Sequence, residues 1–205
     1  MIITVDGFSG VGKGTLAKRL ADYYGYAYMD TGLLFRRVAY VLLQQKGSPE
    51  KEADILRAAD HIQETEGLDP KNLRVEEVSQ MASKISTYPA LRQRLIQIKR
   101  AFAGQYAHTV FDGRDMGTEV FPQAEKKIFL FASPEVRAQR RYDDLKSQGI
   151  DSNFGEVLKN IQERDLRDST RQIAPTKPAP DAFILDTSSL SKEEVFKACV
   201  SFIEK

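Results

Sequence analysis

Gly7-Phe8-Ser9-Gly10-Val11-Gly12-Lys13-Gly14-Thr15 constrains this chain more than any other stretch. Ile2 to Val5 before it is a β-branched run that reads as a strand, and Lys13 to about Tyr24 after it reads as a helix. Glycines at this spacing let backbone N–H groups converge on phosphate oxygens at a helix N-terminus, where the helix dipole already favours anions. Lys13 supplies a point charge for the β- and γ-phosphates, and Thr15 a hydroxyl beside a metal ion. The standard motif puts Ser or Thr directly after the lysine; here Gly14 intervenes.

The rest of the chain alternates in the same way. Thr31-Gly32 precedes a helical pattern with Leu34, Val38 and Leu42 at spacing four. Ser48-Pro49 reads as an N-cap with proline at N1, starting a third helix that runs to about Glu66. After a loop over Gly67 to Asn72, helical sequence returns over Val75 to Ser86 and from Pro89 to about Ala103. Thr109 to Phe111, Lys127 to Ala132 and Ala182 to Leu185 read as strands. Helices are expected from Ser133-Pro134 to about Gln148 and over Phe154 to Arg171, and Ser191 with Glu194 makes a capping box for the last one. Strands alternating with helices favour a parallel sheet covered on both faces, with about Gly32 to Ala103 as a helical insertion.

Composition narrows the function classes. Lys plus Arg is 30 and Asp plus Glu 29, a formal net charge of +1, so neither a nucleic-acid coat protein nor a membrane-surface binder is expected. One cysteine, Cys199, excludes an intrachain disulfide and thiolate metal sites. The longest apolar run, Val38 to Leu43, is six residues, against about 20 needed to span a bilayer. Met1-Ile2-Ile3-Thr4-Val5-Asp6 does not read as a basic leader, and no targeting segment is expected. A cytoplasmic protein is expected. His61 and His108 read as structural, and Cys199 as core.

Asp112 follows a strand and suits a magnesium role through water. The Asn-Lys-x-Asp base reader of switch GTPases is missing. Arg164, Asp168 and Arg171 fall at i, i+4 and i+7 on one helical face, and Arg137, Arg140 and Arg141 share another. Either face reads as a solvated, salt-bridged surface or as a phosphate-closing one.

The Gly-Lys-Gly-Thr ending resembles nucleoside monophosphate kinases. Asp112-Gly113-Arg114-Asp115-Met116-Gly117-Thr118 with Val120-Phe121-Pro122, then Arg164 to Arg171 with Ala174-Pro175, then Asp186-Thr187, resemble the bacterial cytidylate kinases. The resemblance implies a three-layer α/β P-loop kinase fold with a five-stranded parallel sheet of order 2-3-1-4-5. It implies a core over about 1–31, 104–145 and 172–205, an acceptor-binding insert over about 32–103 and a lid over about 146–171. It implies transfer of the γ-phosphoryl of ATP to CMP or dCMP, with Mg²⁺, acting on small nucleotides; a monomer is expected, because a small kinase must open and close freely. Residues 7–15 would bind ATP; Lys13, Arg114 and Asp112 would be catalytic; Thr15 and Asp112 would serve the metal. Arg36 and Arg114 match positions that hold the acceptor phosphate, and a guanidinium fork suits that task. Ser83, Arg92, Asp115 and Arg171 match positions around cytosine, Arg164 and Asp168 positions on the ribose, and Thr31 a further acceptor-site position. A phosphate monoester has a second pKa of about 6, so no general base is needed.

This chain departs from the family pattern at Phe8 (usually proline), Val11 (alanine), Thr31 (serine) and Phe35 (tyrosine). It also has a shorter stretch between about His61 and Val75. Two other readings stay open on the sequence: another small-substrate kinase acting on UMP, AMP or shikimate, and a nucleotide-binding or RNA-interacting module without turnover.

Overall fold

The computed structural model describes residues Met1–Lys205. One sheet of five parallel strands has the order β2-β3-β1-β4-β5, the order that the resemblance implied. The strands are β1 (Ile2–Gly7), β2 (Ala27–Asp30), β3 (Thr109–Gly113), β4 (Lys126–Phe131) and β5 (Phe183–Asp186). β1 lies centrally between β3 and β4, with Asp6 opposite Gly113 and Gly7 opposite Leu130. Its apolar positions, Ile3 and Val5, are fully buried, as a strand covered on both faces requires.

The helices are α1 (Lys13–Tyr24), α2 (Thr31–Gln44), α3 (Glu52–Asp60), α4 (Glu76–Ile85), α5 (Pro89–Gln105), α6 (Pro134–Ser147), α7 (Phe154–Thr170) and α8 (Lys192–Ile203). Two compact units result: Met1–Met29 with Gln105–Lys205, and Asp30–Gly104. The first is built on the sheet. Its core packs Ile3, Val5, Leu16, Leu20, Ile128 and Leu130 with Val195, Phe196 and Cys199 of α8. Burial pushes the Cys199 thiol up to about 12, the behaviour of a core cysteine. The capping box of Ser191 and Glu194 is present. The second unit is helical, with Leu34, Val38, Leu42, Ile55, Leu73, Ile85, Leu91 and Leu95 inside.

Three local features differ from the sequence expectation. The helix expected from Ser48 begins at Glu52. The Lys51 N–H bonds back to the Ser48 carbonyl, and the Ser48 N–H donates to Asp54, so the Ser-Pro pair forms a turn. That helix also stops at Asp60, giving way to a short 3₁₀ turn over Ile62–Thr65. A π-helical turn over Met116–Val120 carries no periodicity long enough to be read in advance. No helix is long and apolar enough to cross a membrane.

Gly7 cannot be replaced without moving backbone. A Cβ there would lie 2.3 Å from the Leu130 carbonyl oxygen, at φ +151°. Gly7→Ala is therefore expected to destabilise the protein by roughly 2–3 kcal/mol or more. Urea denaturation measures this; an unchanged midpoint would mean that β1 and β4 part more easily than their pairing implies.

Candidate active site

The phosphate loop leaves β1 at Gly7 and enters α1 at Lys13. Gly10 and Gly12 take left-handed φ values of +82° and +94°, which turn the chain tightly enough to aim it at the helix N-terminus. No side chain caps α1, so its dipole is available to an anion. The Lys13 ammonium folds back and donates to the Phe8 carbonyl at 3.1 Å. Thr15 is exposed at the first turn.

Asp112, the penultimate residue of β3, lies beside this loop. Its Oδ1 accepts from the Tyr28 hydroxyl at 3.1 Å. Its Oδ2 lies 3.3 Å from where a Cβ on Gly14 would stand, which explains the glycine after the lysine: a larger residue would press on this carboxylate. Gly14→Ala is expected to fold normally and lower turnover, read as a kcat loss at unchanged thermal midpoint; full turnover would remove Asp112 from the reaction. No cluster of three or more His, Cys, Asp or Glu side chains forms a metal cage. One carboxylate and one hydroxyl near a phosphate loop fit Mg²⁺, which keeps its waters and takes its other ligands from phosphates.

Arg114 follows on the same turn. Its Nε donates to the Asp168 carboxylate at 2.6 Å, and Arg164 stands 3.8 Å from the same oxygen. Burial pushes the Asp168 carboxyl up, and the charges of Arg114, Arg164 and Arg171 outweigh it, so it stays below the usual carboxylate range. Burial likewise opposes the Arg114 charge, and Asp168, Asp112 and Asp115 more than restore it. Arg164 donates to the Ser9 hydroxyl at 3.4 Å, so this cationic cluster abuts the phosphate loop. Arg171 caps α7 and donates to the Ala174 carbonyl at 2.7 Å.

A profile of the cytidylate kinase family matches residues 3–205. Cytidylate kinase 1 of Haemophilus influenzae is 44% identical over 218 residues, covering 100% of this chain and 94% of that protein. A cytidylate kinase of Bradyrhizobium diazoefficiens is 44% identical over 204 residues, covering 100% of this chain and 96% of that protein. This chain belongs to the cytidylate kinase family. Among solved structures, a shikimate kinase of Bacteroides thetaiotaomicron shares the fold at a TM-score of 0.51 and 15% identity, over 100% of this chain and 96% of that one.

Three of the family departures, Phe8, Val11 and Phe35, have local structural accounts. Phe8 packs edge-on against Phe129 at 6.4 Å, and the Arg137 guanidinium lies 5.7 Å from its ring. Val11, within the loop, is buried and packs into the core beneath it. Phe35 is approached by the Arg92 guanidinium at 5.7 Å and the Lys99 ammonium at 5.1 Å.

The remaining expected residues lie in the second unit. Thr31 is buried in the first turn of α2, whose N-cap is Asp30. Arg36 donates to the Leu73 carbonyl at 3.0 Å and to the Ser79 hydroxyl. Ser83 and Arg92 are both buried and meet through Ser86. The Ser86 carbonyl accepts from Arg92 at 2.9 Å, and its hydroxyl donates to the Ser83 carbonyl at 2.8 Å.

Sequence reasoning missed three supporting residues. Tyr28 orients Asp112, and Ser79 orients Arg36. Asp6 accepts the Met116 and Gly117 N–H groups at 2.9 and 2.8 Å, anchoring the turn that carries Arg114 and Asp115. Only the polar residue at the buried end of a strand could have pointed to it.

Burial raises the Asp6 carboxyl from its ordinary 3.8 to about 6, against the pull of those two N–H groups. The unfolded chain ionises this group first. Its contribution to stability is therefore full below the unfolded value and lost as pH rises through about 6. The Met116 and Gly117 amide resonances are expected to titrate with a midpoint of about 6. A midpoint in the ordinary carboxylate range would place Asp6 in a wetter site.

Proposed function

We propose that the protein transfers the γ-phosphoryl group of ATP to CMP or dCMP, giving CDP or dCDP and ADP. The observation that carries this is the Arg114–Asp168–Arg164 cluster abutting Ser9, in a chain whose whole length matches the family. It gives cationic side chains for an acceptor phosphate next to the loop that takes the donor phosphates.

The phosphate loop of residues 7–15 holds ATP through backbone N–H groups and Lys13. Arg36 and Arg114 bind the acceptor phosphate. Its attacking oxygen is already deprotonated at neutral pH, so these residues position and neutralise rather than abstract a proton. Thr15 and Asp112 would hold Mg²⁺, Asp112 through water, with Tyr28 fixing the carboxylate. The ion supplies charge neutralisation on the β- and γ-phosphates.

Ser83, Arg92, Asp115 and Arg171 read cytosine. A carboxylate accepts a hydrogen bond from the exocyclic amino group, and arginine donates to the ring nitrogen and carbonyl. Uracil presents a carbonyl and an N–H there and leaves buried groups mismatched. Arg164 and Asp168 contact the ribose, and Thr31 offers a hydroxyl. The segment over about 146–171 serves as the lid, turning at Gly149, whose φ is +72°. The catalytic form is a monomer in the cytoplasm that acts on small nucleotides and adheres to RNA only weakly and ionically.

A parallel ADP-release assay on CMP, dCMP, UMP and AMP tests the base assignment, with Arg171→Ala as the pocket control. Strong CMP and dCMP turnover, weak UMP turnover and loss in the variant are expected. Preference for UMP or AMP would mean that these residues do not build the base pocket.

A further inference from the structure

Arg137 is a basic residue for which the sequence allowed two roles, and the structure buries its guanidinium against acceptors of the protein itself. Its side chain is 3% exposed. Nε donates to the Ala132 carbonyl at 2.9 Å, Nη1 to the Ser9 carbonyl at 3.2 Å and to Asp165 at 2.9 Å, and Nη2 to the second Asp165 oxygen. Four of the five N–H donors of the guanidinium are thus engaged within the protein. The side chain also forms a wall of the phosphate loop. Its guanidinium lies 5.7 Å from the Phe8 ring centroid, and a Cβ on Gly10 would meet the Arg137 Cβ at 3.2 Å.

Asp165 brings this wall to α7. It follows Arg164 directly and precedes Asp168 by three residues on the same helix. Ser9 is therefore held twice from α7, at its hydroxyl by Arg164 and at its carbonyl through Asp165 and Arg137. Arg164 in turn stands by Asp168, which is paired with Arg114. An isolated buried ion pair contributes little to stability relative to apolar packing. This one joins the donor loop to the helix that carries the acceptor cluster.

We propose that Asp165 is a positioning residue that acts through Arg137. The bidentate pair sets the distance between the phosphate loop and α7, so that occupancy of the loop by a nucleoside triphosphate favours the arrangement of Arg164, Asp168 and Arg114 that takes the acceptor. Donor and acceptor binding are then coupled, and the coupling is reciprocal. This inference rests on the kinase reading above.

Calorimetric titration tests it. The affinity for CMP is measured with and without a saturating non-hydrolysable ATP analogue, in the natural protein and in Asp165→Asn. The natural protein should bind CMP more tightly with the analogue present, by a factor in the range of about 5–150. In Asp165→Asn that factor should fall to near one and kcat should fall with it, while each nucleotide alone binds nearly as before. Asp165→Glu, which keeps the charge, should restore part of the factor. A merely structural pair would lower thermal stability and leave the factor intact, which would overturn the inference, as would independent binding in the natural protein.

Should the Asn variant not fold, hydrogen exchange on the natural protein decides. The analogue alone should slow exchange of α7 amides; unchanged α7 exchange would overturn the coupling. A natural protein that fails to phosphorylate CMP would instead sink the kinase reading itself.

Discussion

Lys13→Met is expected to lower kcat for CMP phosphorylation by about 10²–10³-fold, the typical cost of removing one preorganised charge from a developing transition state. Lys13 is the only side-chain cation within the nine-residue phosphate loop. Its ammonium lies 3.1 Å from the Phe8 carbonyl, already folded over the loop. Methionine keeps most of the length and none of the charge. The residue is partly exposed, so stability should change by no more than about 0.5 kcal/mol. Steady-state rates with an equilibrium unfolding curve separate the two effects. Undiminished kcat would mean that another cation neutralises the transferring group. A collapsed unfolding midpoint would assign Lys13 to holding the loop together.

Asp168→Asn should be the most damaging of the acceptor-side changes to the fold itself. The carboxylate is 2% exposed and serves as counter-charge to Arg114 at 2.6 Å. Removing one member of a buried pair typically costs roughly 3–5 kcal/mol, and here it leaves Arg114 with only the smaller support of Asp112 and Asp115. The arginines around Asp168 hold its carboxyl below the ordinary range despite burial. Its contribution to stability is therefore full above the unfolded carboxylate value and lost as pH falls through the depressed folded one. Urea midpoints measured from neutral to acid pH should decline in the natural protein over that window. They should decline less in the variant, which starts lower. Equal acid sensitivity in both would mean that other carboxylates govern acid unfolding.

The two effects also separate in kinetics. The lysine change acts on kcat for a protein that remains folded. The aspartate change should raise the KM for CMP as well, because Arg114 and Arg164 lose the group that aligns them.

The fold was legible where local chemistry and burial agree. The β-branched run of β1, the apolar β4 and the capping box of α8 each carry their own signal, and each is where the sequence places it. The start of α3 was misread because Ser48-Pro49 satisfies a cap rule and a turn rule equally. Tertiary packing settles it, with the Ser48 N–H on Asp54. The π-helical turn at Met116–Val120 is held from outside by Asp6, on a different strand, so no window around it could reveal it.

The site was legible in the same uneven way. The phosphate loop announces itself because glycine, lysine and hydroxyl recur at fixed spacing between a strand and a helix. Arg164 and Asp168 sit one turn apart, and the structure brings them together with Arg114, which lies far away in sequence. Helical spacing predicts a shared face, and it cannot say which distant residue that face meets. Ser83 carries no local signal of burial, and it is 3% exposed. Arg137 shares a helical face with Arg140 and Arg141, and the three part company in the structure. Arg137 is locked to Asp165, Arg140 donates to the Thr187 carbonyl at 2.6 Å, and Arg141 pairs with Asp144 at the surface. Tyr28, Ser79 and Asp6 act at second hand, by orienting other groups. Such residues carry no motif, because their requirement is a single hydrogen bond to a partner elsewhere in the chain.

Product analysis tests the central claim most directly. The protein is incubated with ATP, Mg²⁺ and CMP, and the nucleotides are resolved by ion-exchange chromatography. The account predicts CDP and ADP in equal amounts, with no inorganic phosphate beyond a trace. ADP and inorganic phosphate with CMP unchanged would contradict it, since the loop would then deliver the phosphoryl group to water. Unconsumed ATP would contradict it as well.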